Sequence, residues 1–270
     1  VAIVTGGAVR IGREIVLSLA RAGMHVCVHY HSSESCAQQT VKEAQAVGVR
    51  AMMVPADLRQ PQQAASTVLD AVCATFGRVD VLINSASIFR PGSLAELSQA
   101  EWDDHQRVNL EAPVWLSRAF AARITAHETG SIVNMLDWRG GRPQPGHLAY
   151  TVSKVGLWGV TTILAQELAP RIRVNGIAPG AVLPASTGGE TSFARLAEVI
   201  PLQRTGSPAD VAEAVLFLLR SDFISGEVIH VTGGQELAVP APAGQIVSSQ
   251  TLRDGPVGGF GAAGPRVIPS

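Results

Sequence analysis

Several things are scarce in this sequence, and each shortage excludes something. Only 3 of the 270 residues are cysteine, Cys27, Cys36 and Cys73, with neither a metal-ligand spacing nor a paired redox spacing among them. No disulfide framework or cysteine-held metal organises the chain, and the three are expected as small core or helix-face residues in a reducing compartment. Neither sign of charge is in excess: 21 lysines and arginines stand against 22 aspartates and glutamates. That balance removes the field that nucleic acid or an anionic membrane surface would call for. No apolar run approaches the roughly 18 residues that suggest a membrane span, and no basic-then-apolar leader precedes a cleavage site. A cytoplasmic protein is expected, with neither nucleic acid nor membrane as partner. A starting methionine is missing too: the chain opens on V-A-I-V-T-G, as if inside a strand, and residues preceding Val1 are expected.

What is present is alternation. Residues 1–4 are a short apolar run ending in T-G-G-A-V-R-I-G, after which Ile11, Ile15, Val16 and Leu19 recur at helical spacing until Ala22 and Gly23. The pattern repeats as a strand in M-H-V-C-V-H-Y, a helix over 34–47, a strand in V-R-A-M-M-V-P, a helix over 62–76 and a fourth strand in V-D-V-L-I-N. Beyond the loop S-A-S-I-F-R-P-G-S, the spacing predicts a long helix over 101–123, interrupted near Asn109 and Pro113. Strand five is S-I-V-N-M-L; a glycine- and proline-rich loop, a helix over 150–167 and strand six, R-I-R-V-N-G-I-A, follow. Residues 179–201 read as an irregular stretch with a short helix over 192–199, a candidate mobile lid. A helix from Pro208 with Ser207 as N-cap, then the strand G-E-V-I-H-V, complete the series. Strands this uniformly apolar have no wet face. They predict an α/β, doubly wound Rossmann-type fold, a single domain over 1–238 with a seven-stranded parallel sheet and helices on both faces. The tail over 239–270, rich in glycine, proline and alanine, is expected to be disordered.

Chemistry gathers in residues 131–154, S-I-V-N-M-L-D-W-R-G-G-R-P-Q-P-G-H-L-A-Y-T-V-S-K, where Asp137, Tyr150 and Lys154 can each move a proton. With Tyr150 at a helix start, Lys154 lies one turn on, on the same face. Its cation favours the phenolate, drawing a pKa of about 10 toward neutrality. After strand one, Gly6, Arg10, Ile11 and Gly12 form a turn whose backbone can approach a pyrophosphate at a helix start. About 20 residues further on, where an acid would hold the ribose hydroxyls of NAD, H-Y-H-S-S contains none. His31, Ser32 and Ser33 can donate to a 2′-phosphate, with Arg10 close by, which favours NADPH. The plainer alternative is that Ser32 or Ser33 caps the next helix and Glu34 reaches the ribose. Asp57, followed by Leu58, is placed to accept from the adenine amino group, or is simply a turn aspartate. Asn84 and Ala86 stand at the carboxyl end of strand four, where such sheets bind ligands.

Taken together, T-G-x-x-x-x-I-G, N-S-A-S, Asn109 in a long helix, Tyr-x-x-x-Lys and N-G-I-A-P-G resemble the short-chain dehydrogenase/reductase family over residues 1–238. The resemblance implies that Tyr150 is the proton donor, that Lys154 binds the nicotinamide ribose and lowers the tyrosine pKa, and that Asn109 holds a relay water. It further implies that Pro179 and Gly180 border the nicotinamide, and that the protein is a homo-oligomer, commonly a tetramer, packed through the helices of Asn109 and Tyr150. Two positions depart from the usual pattern: Asp137 replaces a serine 13 residues before the tyrosine, and Arg10 replaces a glycine. Both departures, with H-Y-H, resemble the pteridine reductase branch, although that branch often has arginine where Ser32 stands. In that branch the positions of Ser87 and Phe89 bind the pterin, the phenylalanine stacking it against the nicotinamide.

The aspartate makes chemical sense. A serine hydroxyl donates to a ketone oxygen, whereas an ionised carboxylate only accepts, and a pterin offers N–H and amino donors. Asp137 can accept from the pterin and, with Tyr150, relay a proton to ring nitrogen. The plainer readings are a loop aspartate bonded to backbone or Arg139, and Phe89 as a cover for the core. Trp138, Arg139 and Leu183 are further candidate pocket linings. The expected activity is NADPH-dependent reduction of a pterin-type C=N substrate: dihydrobiopterin, dihydromonapterin or dihydrofolate. The alternatives are a carbonyl reductase, for instance of 3-oxoacyl thioesters, and a non-catalytic NADPH-binding regulator, against which Tyr150, Lys154 and Asn109 argue. No metal is expected.

Overall fold

The seven apolar runs become seven strands: β1 (Ala2–Val4), β2 (Val26–Tyr30), β3 (Ala51–Pro55), β4 (Val81–Asn84), β5 (Gly130–Met135), β6 (Ile172–Pro179) and β7 (Val228–Val231). The structure, a computed structural model, describes residues 1–184 and 190–238, and the side chains of all of these except 190–192. The strands form one sheet in the order β3-β2-β1-β4-β5-β6-β7, with every pairing parallel. Every residue of β1, β2, β4 and β5 is buried, as two covered faces require. Contacts group Val1–Leu237 as one compact unit. The strand order reverses beside β1, which pairs with both β2 and β4, and such a switch point opens a crevice at the carboxyl ends of the strands.

Two cores flank the sheet. On one face, Ile15 and Leu19 of α1 (Arg10–Arg21) and Val211 and Leu218 of α9 (Pro208–Arg220) pack against Val4, Val28 and Ile83. On the other, Val68 and Leu69 of α3 (Pro61–Phe76) and Leu116 and Phe120 of α5 (Ala112–Ala121) pack against Ile3, Leu82 and Ile132. Each such side chain contributes about 2 kcal/mol by leaving water. On the first face too, α2 (Glu34–Ala46) follows β2 and buries Ala37 and Ala44, while α8 (Glu190–Val199) lies in the stretch expected as a lid. Residues 185–189 of that stretch, and the tail over 239–270, lie outside the described residues. The N-cap expected at Ser207 is a reciprocal one, with Asp210 answering the serine.

Three details differ from the sequence expectations. The long helix is interrupted where expected, but the interruption is a π-helical turn over Arg107–Glu111, between α4 (Gln99–Gln106), opened by a capping box of Ser98 and Glu101, and α5. Pro113 has no N–H for the helical ladder, and the wider turn before it leaves Asn109 completely buried. A four-residue helix, α6 (Trp138–Gly141), stands in the loop after β5. Finally, α7 (Leu148–Glu167), which starts two residues before Tyr150, is long and apolar enough to cross a membrane by length and composition, correcting the expectation that no run comes near that size. In the fold one face of α7 is buried through Tyr150, Lys154, Leu157 and Thr161, while Val152, Val155 and Ile163 are exposed.

Candidate active site

A cavity of about 820 Å³ lies at the carboxyl ends of the strands. At one end is the glycine turn. Gly6 has a φ of +62°, and a Cβ there would lie 3.0 Å from the Cα of Ala86; a Cβ on Gly12 would come within 2.3 Å of the Gly6 carbonyl oxygen. Backbone therefore packs on backbone, which only glycine permits. The N-cap of α1, Val9, makes no side-chain cap bond, so no side chain occupies the helix start. This cradle fits the pyrophosphate of a dinucleotide. Ile11 and Ala86 line it, and Pro179 and Gly180 line the cavity from the end of β6. Arg10, at a φ of +54°, reaches across to donate from Nη2 to the Pro184 carbonyl at 2.7 Å.

The ends of β2 and β3 supply the adenosine side. His31, Asp57 and Leu58 line the cavity. Asp57 accepts from the backbone N–H of Arg59 and, in a two-pronged ion pair, from its guanidinium at 2.8 to 3.1 Å. These bonds hold its carboxyl below the usual range. His31 Nε2 stands 3.8 Å from the same carboxylate. Arg59, another lining residue, carries no motif in the sequence that would have singled it out. His29, which opens the H-Y-H run, was not singled out by itself: its Nδ1 accepts from Gly6 N at 3.2 Å and its Nε2 meets the Ala56 carbonyl at 3.1 Å, tying the glycine turn to the end of β3. Burial pushes its pKa down to about 4, so the ring is neutral with the proton on Nε2. Its sequence signals were its place in H-Y-H and a polar residue in an otherwise apolar strand.

Three expected cofactor residues are not brought to the cavity wall. Ser32 and Ser33 do not line it; Ser33 occupies the N-cap position of α2 with Glu34 in the first turn, as the plainer alternative has it, but makes no side-chain cap bond. Asn84 pairs in register with Asn134 and donates to its Oδ1 at 2.8 Å, while Asn134 donates to Thr161 of α7. It is spent inside the protein, fastening β4, β5 and α7 together.

At the opposite end, Tyr150 Oη donates to Asp137 Oδ2 at 2.7 Å. Asp137 is also the N-cap of α6, its Oδ1 accepting from Arg139 N at 2.8 Å with Arg139 Nη1 at 3.5 Å. The bond to Arg139 and the bond to the tyrosine thus coexist. Lys154 is buried, donating from Nζ to the Met135 carbonyl at 2.7 Å, and burial pulls its pKa down to about 8. The expectation that Lys154 draws Tyr150 toward neutrality is not met in this structure. Burial, and then the Asp137 charge and hydrogen bond, push the phenol well above its ordinary value, with only Arg139 opposing. The phenol is therefore held protonated. Trp138 and Leu183 line the same end.

Asn109 does not line the cavity. Its Oδ1 accepts from Ile88 N at 2.8 Å and Ser87 Oγ at 3.2 Å, and its Nδ2 donates to the Ile88 carbonyl at 2.9 Å and to Ser153 Oγ at 3.1 Å. Two acceptances and two donations fill an amide, so no side-chain atom is left for the expected relay water. Asn109 instead clips the loop after β4. That loop brings Ser87 and Phe89 to the cavity beside Asp137 and Tyr150. Phe89 is 46% exposed, so it does not cover the core. It stacks on His147 with centroids 4.5 Å apart and stands edge-on to Tyr150 at 4.7 Å. Burial and then Arg139 lower the His147 pKa.

A phosphate cradle sharing one cavity with a buried tyrosine, its carboxylate partner and a lysine one turn on defines an oxidoreductase built on a Rossmann-type sheet. A family model described as Enoyl-(Acyl carrier protein) reductase matches residues 7–236. The 3-oxoacyl-[acyl-carrier-protein] reductase FabG of Staphylococcus epidermidis is 34% identical over 238 residues, covering 86% of this chain and 97% of its own. Among solved structures, FolM alternative dihydrofolate reductase 1 from Brucella canis, complexed with NADP, is 35% identical with a TM-score of 0.79, over 89% of this chain and 96% of that one. A blue fluorescent protein from a metagenomic library, in complex with NADPH, is 30% identical with a TM-score of 0.81, over 87% and 96%. The chain belongs to the short-chain dehydrogenase/reductase family.

Proposed function

We propose that this protein uses NADPH to reduce a pterin-type C=N bond, as found in dihydrobiopterin, dihydromonapterin or dihydrofolate. The observation that carries the reading is Asp137, an acceptor bonded to Tyr150 Oη and set beside the half-exposed Phe89 ring. Against a ketone oxygen an ionised carboxylate repels; against the N–H and amino groups of a pterin it binds. NADPH, for which the glycine cradle and the NADP- and NADPH-bound relatives speak, supplies hydride from its nicotinamide when bound. Gly6, Ile11 and Gly12 hold its pyrophosphate, His31 and Arg59 face the 2′-phosphate, and Lys154 takes the ribose. Phe89 and Ser87 fix the plane of the substrate ring. Tyr150, kept protonated by burial and by Asp137, is in the state a proton donor requires, and gives its proton toward ring nitrogen while Asp137 orients the ring. Lys154 Nζ, 5.8 Å from the Tyr150 ring centroid, stays on the Met135 carbonyl.

The similarity to FabG supports a second reading, reduction of a 3-oxoacyl thioester, in which Tyr150 donates to the ketone oxygen and Asp137 is protonated or bypassed. Steady-state rates with dihydropterins and with 3-oxoacyl thioesters, each with NADPH and NADH, separate the two. Higher kcat/KM for a dihydropterin with NADPH is expected; turnover of ketones alone would remove the pterin reading, and preference for NADH the cofactor reading. A homotetramer is part of the proposal, supported by the apolar Val152, Val155 and Ile163 exposed along α7.

A further inference from the structure

The two oxygens of Asp137 have different partners: Oδ2 belongs to Tyr150, and Oδ1 to the backbone and guanidinium of Arg139. The guanidinium is itself gripped. It lies 5.1 Å from the Trp138 ring centroid and 5.9 Å from that of Phe89, with a quarter of the side chain exposed. The backbone beneath it is fixed as well. A Cβ on Gly140 would stand 3.0 Å from Trp158 Cε3, and one on Gly141 3.2 Å from Trp158 Cη2, so the two glycines let α6 lie flat on Trp158. Trp158 is one turn past Lys154 on α7. The run W-R-G-G thus docks Arg139 onto the helix that presents Tyr150 and Lys154. Lys154 does not take this place, since its ammonium is turned to the Met135 carbonyl.

We propose that Arg139 is a positioning residue for the proton-handling pair, holding Asp137 by Oδ1 so that Oδ2 stays on Tyr150 and supplying the fixed positive charge this carboxylate needs. The inference rests on the reading that Asp137 and Tyr150 handle the proton. A carboxylate gripped at one oxygen has its plane set, and its other oxygen is aimed. The same cation offsets a negative charge that would otherwise stand uncompensated beside the phenolate formed on proton transfer. Its field at Tyr150 opposes those of burial and Asp137, as that role requires.

The test uses Arg139→Met, which keeps length and removes charge, and Arg139→Lys, which restores charge. Arg139→Met is expected to lower kcat about tenfold with the NADPH Kd, from fluorescence titration, within about twofold, and Arg139→Lys to keep at least about half of wild-type kcat. In an Asp137→Ser background, Arg139→Met should change kcat by less than about twofold, because its effect passes through Asp137. Wild-type turnover in Arg139→Met, an equal loss in both backgrounds, or no rescue by lysine would overturn the proposal. Should Arg139→Met fail to bind NADPH, Arg139→Lys decides: kcat below about a tenth of wild type rejects the role. Wild-type turnover in Asp137→Ser or Tyr150→Phe would instead reject the underlying reading of the proton site.

Discussion

At the scale of single residues, the site balances groups that would each be costly alone. Tyr150, Lys154 and His29 are ionisable and almost fully buried, and each is partnered by a carboxylate, a carbonyl or a backbone amide. Tyr150→Phe removes the proposed proton donor and leaves Asp137 Oδ2 without its partner. Its kcat should fall about 100-fold or more while NADPH binding stays within about twofold, as checked by single-turnover kinetics and titration. His29 bears on stability. With its folded pKa lowered to about 4, the unfolded chain binds more protons between about pH 6.5 and 4, so this stabilising contribution is complete above pH 6.5 and is lost as pH falls through 4. Urea unfolding at pH 7 and 4.5 should show a fall in stability about 2 kcal/mol smaller in His29→Gln than in wild type. Tyr150 and Lys154 were legible because their spacing is a helix turn, and Asp137 because it stands where the family resemblance led one to expect serine. Arg139 was legible as a possible partner of Asp137; Arg59 and His147 were not, since their roles come from loops that meet only when β2, β3, β4 and β5 end side by side.

At the scale of elements, two backbone devices shape the cavity. The π turn aims Asn109 at the loop after β4, and the glycine turn presses β1, β4 and α1 together. An interruption near Asn109 and Pro113 was readable from composition, but not its geometry, because a widened turn has no residue signature beyond the proline. The helix α6 was hidden for a similar reason: the run G-G-R-P reads as loop until Trp158 is seen beneath its glycines. Asn109→Leu strands the Ile88 N–H and carbonyl, so it should cost about 2–4 kcal/mol in denaturant unfolding and raise substrate KM more than NADPH Kd. Gly12→Ala forces a Cβ against the Gly6 carbonyl. NADPH affinity should drop by about tenfold or more in a fluorescence titration, because the turn has to open to admit the methyl.

At the scale of the whole molecule, strand number and parallel sense were legible because strands covered on both faces read as continuous apolar runs; the exposed side of α7 was not, since its valines and isoleucine look like core positions in a linear sequence. Light scattering should give a mass near four times 28.2 kDa, and Val155→Glu combined with Ile163→Glu should lower it. The proposed choice of pterin over ketone rests on one carboxylate, Asp137, bonded to Tyr150. The most direct measurement is therefore the ratio of kcat/KM for a dihydropterin to that for a 3-oxoacyl thioester, with NADPH, in the wild type and in Asp137→Ser. A wild-type ratio well above one that falls about 100-fold or more in the variant is the predicted result. A wild-type ratio below one, or a ratio that Asp137→Ser leaves unchanged, would contradict the assignment of Asp137 as the residue that selects a pterin.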